Sequence, residues 1–250
     1  MNPLLAPSPS PNPHRSHRAV ARKVVTQCLW IGLWLWPVVI AVTLGVPALV
    51  HRLGGEIGGI YVGVSQGPRW FLFVMAIVVV AEGFAAHVAL GVTRRTFARQ
   101  LAAGFLVVAG AFGALAVVVA FVERWFFEAS GWPVRPISGQ PLAPIDPWYL
   151  ALLDQSVLLA VFALSGLAVG AAYVRWGGWL GTLALPLTVG PVILAGTALQ
   201  HLEAGDAPEL APLENLPHAG GLAVALAVGV WFWAVARLAL RGAAARPPRS

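Results

Sequence analysis

Residues 70–122 read WFLFVMAIVVVAEGFAAHVALGV, then TRRTFARQ, then LAAGFLVVAGAFGALAVVVAFV. Each apolar run is long enough to cross the hydrocarbon core of a bilayer, which takes roughly 20 mostly apolar residues at 1.5 Å each. The first run carries Glu82 and His87, and the second carries no charge. The connection, Thr93 to Gln100, is too short for anything but a turn and holds Arg94, Arg95 and Arg99. Two membrane-crossing helices joined by a tight basic turn are the unit from which the rest of the chain is read.

The same pattern continues in both directions. Further spans are predicted at about 28–50, 148–173, 179–199 and 219–240, making six with 70–92 and 101–122. A short turn, Val174 to Gly178, joins the fourth and fifth. Pro186 and Pro191 should kink the fifth, since each removes a backbone donor and crowds the preceding turn. The composition agrees: 58% of residues are hydrophobic and 10% charged, against about 25% charged in a soluble domain. The expected fold is an all-α membrane protein, a single six-helix bundle over residues 14–241. A Pro-rich disordered tail is expected at 1–13 and a basic cytoplasmic tail at 242–250. Residues 14–27 mix Arg15, Arg18, Arg22 and Lys23 with Val20, Val24 and Val25. They suit an interfacial amphipathic helix or a plain basic flank. The apolar stretch after them exceeds a signal-peptide core and more spans follow, so retention is expected.

Charge gives the orientation. With the N-terminus inside, only Arg52, Arg69, Arg124 and Arg135 of the 16 basic residues face outward, as the positive-inside rule requires. Both termini are then cytoplasmic. The external loops are Glu123 to Pro147, with Trp125, Phe126, Phe127 and Trp132 expected at the headgroups, and the acidic, Pro-containing Gln200 to His218. The net charge of +6 is spread along loop edges, which argues against a nucleic-acid partner. Cys28 is the single cysteine, so neither a disulfide framework nor a cysteine metal site is expected.

Few residues carry candidate chemistry. Glu82 falls near the middle of its predicted span, where a charge costs roughly 2.5–3.5 kcal/mol on insertion scales. It should face the bundle interior, pair, or be protonated. His87 lies about 140° round the helix from it, so the two do not share a face; hydrogen bonds to a neighbouring helix are the expectation for both. Asp154 and Gln155 sit about a turn inside the external end of the fourth span. Headgroup solvation, a place in a translocation path and an ion pair with Arg124 all suit Asp154. No Gly-rich loop ends in Gly-Lys-Ser/Thr, so this chain is not expected to hydrolyse ATP or to be an enzyme. In the turn, Gly91 can end one span and Thr93 can cap the next helix. Arg94, Arg95 and Arg99 would project from a very short helix with Phe97 as its apolar anchor. That segment is either a basic turn obeying the positive-inside rule or a docking element.

The run Ala89 to Phe97 (ALGVTRRTF), between the second and third of six spans, resembles small actinobacterial permeases of ABC-2-type transporters, as does Gly166 to Thr182 (GLAVGAAYVRWGGWLGT). In that family the turn after the second span is a coupling helix seated on a separate ATPase. The resemblance assigns that role to Thr93, Arg94, Arg95, Thr96 and Phe97, with Arg99 beside them. It also matches Arg15 to Lys23 to a basic interfacial helix and places Gln200 to His218 where re-entrant helices occur.

The resemblance implies a permease subunit in a bacterial plasma membrane, an exporter pairing with a second permease. Two cytoplasmic ABC ATPase copies would bind ATP and Mg²⁺; no cofactor is expected in this chain. A membrane-embedded enzyme using Glu82, His87 or Asp154 is the alternative, if those groups converge. A non-transporting assembly or sensory subunit is a third class.

Overall fold

The computed structural model describes residues 19–55, 59–132, 147–199, 212 and 216–243. The expected tail at 1–13, nearly all of the 242–250 tail and most of the Gln200–His218 loop lie outside the described residues. The described chain is helical: α1 Ala19–Arg52, α2 Tyr61–Val64, α3 Gln66–Ala89, α4 Arg94–Ala129, α5 Trp148–Leu183, α6 Leu185–Val189, α7 Pro191–Ala198 and α8 His218–Gly242. Five stretches are long and apolar enough to cross a membrane: α1, α2 with α3, α4, α5 and α8. The protein is a multi-pass helical membrane protein.

α5 is the centre of the bundle. It is apolar on all sides, and from Leu158 to Ala172 nearly every residue is buried, as expected of a helix surrounded by others. Small residues allow the close approach. A Cβ on Gly166 would fall against the carbonyl oxygen of Phe73, and one on Gly170 would meet Val80 and Ile77. In lipid, where tails are as apolar as leucine, such backbone proximity is a principal source of helix association. These contacts set α3 and α5 parallel, with Phe73 level with Gly166.

The expected fifth span is not one long helix. α5 runs on past Val174, and the chain reverses at Gly177, whose φ of 78° and ψ of −172° interrupt the helix. The return leg is broken again at Ala184 and Gly190, and Pro186 and Pro191 fall in the first turns of α6 and α7, where a missing N–H is harmless. It nevertheless runs back alongside α5. The Tyr173 and Thr182 hydroxyls are 2.9 Å apart, and Ser165 donates to the Thr188 carbonyl oxygen.

Two further expectations change. α1 is one helix of 34 residues, about 51 Å long, so residues 19–27 are not a separate interfacial helix. Val20, Val24 and Cys28 are buried, and Gly104 of α4 lies against Ala21 and Val24. The apolar stripe that suggested a membrane surface faces α4 instead. α4 likewise continues through Ala129, so Phe126 and Phe127 lie on it, and Phe127 is buried edge-on to Trp132.

Candidate functional site

The turn between α3 and α4 is built from local rules. Gly91, at φ 82°, ends α3; the N–H of Val92 reaches the His87 carbonyl oxygen and that of Gly91 the Val88 oxygen, both at 3.0 Å. This pairing satisfies carbonyls that the helix end leaves open. Thr93 then caps α4, its Oγ1 accepting from the N–H of Thr96 at 3.2 Å. No separate short helix forms: Arg94 and Arg95 open α4 itself.

Phe97 faces the bundle and not the surface of the turn. It is fully buried against Phe84 and His87, with ring centroids 5.8 and 5.3 Å away. Ala98, Leu101 and Phe105 are buried with it, because the same α4 face that carries Phe97 is the one packed into the bundle. Arg95 and Arg99 are exposed, and Arg94 and Thr96 are partly so.

The end of the bundle that holds this turn is an arginine ring assembled from three helices. Arg94 donates to the carbonyl oxygen of Arg241 (2.9 Å) and Arg175 of α5 to that of Leu238 (2.8 Å). The Arg237 guanidinium lies 5.0 Å from the Trp233 ring centroid, and Arg95, Arg99 and Arg241 are near enough to act on it electrostatically. Among the described residues the ion pairs are Arg124–Glu128 and His218–Asp154; none involves the ring.

Glu82 is nearer this ring than the middle of the bundle. Phe84 packs on Phe97, and Gly170 lies beside Ile77, which sets Glu82 level with Arg99 and Arg175. It faces outward and is exposed. The expectation of a carboxylate buried at mid-depth is therefore corrected: α3 starts at Gln66, which moves Glu82 into its later half. His87, partly buried, donates from Nδ1 to the carbonyl oxygen of Gly83 in its own helix at 2.7 Å, not to a neighbouring helix.

Asp154 and Gln155 are buried at the opposite end. Asp154 pairs with His218, at 2.9 and 3.0 Å to its two oxygens, where the sequence suggested Arg124. Asp154 lies about six turns before Arg175 on α5, which places it about 30 Å from Glu82 along the bundle. Glu82, His87 and Asp154 do not converge. The same end holds a group that the sequence reading treated as plain external charge. Glu123 is buried and accepts from the N–H groups of Ile60 and Tyr61 at 2.8 and 3.0 Å. Arg69 is buried close by, its Nε unpaired. For Glu123 a signal was available: the residues three and four positions away on α4, Val119, Ala120, Phe126 and Phe127, are all apolar.

Between α4, α5 and α8 lies an open groove of ≈470 Å³, lined by Ala102, Leu106 and Gly110 of α4, by Ser156, Ala160 and Leu164 among others of α5, and by Leu226, Val230 and Trp233 of α8. No known protein family, curated protein or solved structure matches this chain. Its fold and site define a multi-pass helical membrane protein with a concentrated arginine ring at one end.

Proposed function

We propose that this chain is the membrane-spanning permease subunit of an ABC transporter, an exporter that crosses the membrane six times with both termini on the arginine side. The observation that supports this reading is the arginine ring at the Thr93 turn, continuous with a helix that runs the length of the bundle. By the positive-inside rule that end is cytoplasmic, where an ATPase subunit holding ATP and Mg²⁺ would dock. With Phe97 turned inward, docking rests on Thr93, Arg95, Thr96 and Arg99, whose charge-assisted hydrogen bonds suit carboxylates on the partner. α4 is unbroken from Arg94 to Ala129, so a displacement at its first turn is carried to Glu123 at the far end. A second copy or a related permease completes the path, and the broken return leg from Gly178 to Ala198 is its most deformable wall.

The test is co-expression with a candidate ABC ATPase from the same genome, followed by purification through a tag on this chain and measurement of ATP hydrolysis in proteoliposomes. The wild type should retain the ATPase, and Arg95→Ala with Arg99→Ala should lose it while inserting normally. An ATPase that never co-purifies would overturn the proposal.

A further inference from the structure

The walls of the groove continue into the arginine ring. On α4, Arg95, Arg99, Ala102, Leu106 and Gly110 follow at intervals of four, three, four and four residues, one stripe of a helix. On α8, Leu226, Val230, Trp233, Arg237 and Arg241 show the corresponding spacing. The two helices run in opposite directions here, tied by Arg94 to Arg241. Each stripe is therefore apolar where it lines the groove and cationic about one turn beyond the groove mouth. The guanidinium of Arg237 sits over Trp233, a lining residue, so the cationic and apolar surfaces are in direct contact.

Arg94 and Arg175 have backbone carbonyl partners, but Arg95, Arg99, Arg237 and Arg241 have no anionic partner among the described residues. The Nε of Arg237 is shielded from solvent and makes no hydrogen bond. Four cations converging without a counter-charge repel one another, and an anion of suitable geometry would relieve that repulsion. Guanidinium groups match phosphate oxygens in pairs. In the groove above, Ser156 is the one hydroxyl, so a chain entering it meets almost only hydrocarbon and small-residue backbone.

We propose that this is a binding site for an anionic phospholipid, with its phosphate on Arg99 and Arg237, flanked by Arg95 and Arg241, and one acyl chain in the groove. A free phosphate would satisfy the arginines but leave the groove without a matched occupant. A membrane-facing groove that ends in cations at headgroup level is the combination that a phospholipid fits, and basic pockets between membrane helices bind anionic headgroups for this reason. The proposal requires only the bilayer; it shares Arg95 and Arg99 with the docking face, so its test is made on this chain with no ATPase present.

The test uses the full chain in detergent, titrated with phosphatidylglycerol or with phosphatidylcholine of the same acyl chains and followed by native mass spectrometry. The wild type should bind phosphatidylglycerol the more tightly, by roughly thirtyfold for two arginines at the membrane surface. Arg99→Gln with Arg237→Gln should bring phosphatidylglycerol to the phosphatidylcholine level, and the double lysine variant should keep part of the preference. Gly229→Leu, which projects into the groove, should weaken both lipids. Equal binding of the two lipids by the wild type overturns the proposal, as does an undiminished preference in the glutamine variant. Inorganic phosphate alone displacing the lipid would show an anion site without an acyl component. A lipid-free dimer lost on Gly229→Leu would make the groove an interface between copies; either result also overturns it.

Discussion

Arg94 in the first turn of α4 reaches the last turn of α8, its Nη1 donating to the carbonyl oxygen of Arg241 at 2.9 Å. Arg175, just before the break in α5 at Gly177, likewise donates to the carbonyl oxygen of Leu238. Arg94 satisfies a carbonyl that the C-terminus of α8 leaves open, Arg175 reaches one in the preceding turn, and both place a charge of the sign that the helix dipole favours there. These contacts hold three helices together at the arginine end. Arg94→Ala should lower unfolding stability in detergent by about 1 kcal/mol, since the contact is charged but exposed. Arg175→Ala should cost somewhat more, because its guanidinium also packs against Gly242. Unchanged unfolding midpoints in both variants would show that α8 is held at this end by apolar packing alone.

Phe97 yields a second prediction, and one that distinguishes core from docking surface. Its ring is enclosed by Phe84 and His87, so Phe97→Ala leaves a cavity and should cost about 3 kcal/mol. Phe97→Leu should cost less. The measurement is thermal unfolding of the purified chain with no partner present. If Phe97→Ala unfolded like the wild type but failed to bind an ATPase, the ring would be a surface anchor after all.

The helices were legible because membrane crossing imposes a length and a composition that few other structures share. The turn at Gly91 and Thr93 was legible too, since both act through local backbone chemistry. What the sequence concealed were relations between helices. Phe97 reads equally well as an exposed anchor or a core residue until Phe84 is known to face it. Val20 and Val24 form an apolar stripe that a membrane surface or α4 could cover. Asp154 and His218 are far apart in sequence, and only the parallel packing of α5 and α8 brings them together. The stripes that end in Arg95 and Arg241 went unread in the sequence, because their shared groove depends on how α4 and α8 pack beside α5.

Topology yields a third prediction. Cys28 is fully buried, so its background labelling should be low and single introduced cysteines can be read directly. If the arginine end is cytoplasmic, Thr93→Cys and Arg95→Cys should resist a membrane-impermeant thiol reagent in intact cells and react after lysis. Leu53→Cys, beyond the other end of α1 at a position 79% exposed, should react in intact cells. The reverse pattern would invert the bundle and remove the reason for placing an ATPase at the Thr93 turn.

The reversal at Gly177 yields the last prediction, through two neighbouring glycines. Gly177 has φ 78° and ψ −172°, a region that residues with a Cβ enter only at a cost of about 1–3 kcal/mol. Gly178 has no positive φ, and a Cβ there would meet nothing within 4 Å. Gly177→Ala should therefore destabilise the α5 hairpin by about 1–3 kcal/mol, whereas Gly178→Ala should be near neutral. The strain falls where Thr182 bonds both Tyr173 and the Gly178 carbonyl oxygen, so the return leg should loosen first. Hydrogen exchange over residues 178–189 would read this, with faster exchange in Gly177→Ala and wild-type rates in Gly178→Ala. Equal protection in the two variants would mean that α5 continues through Gly177 without the reversal, and that the segment after it does not fold back along α5.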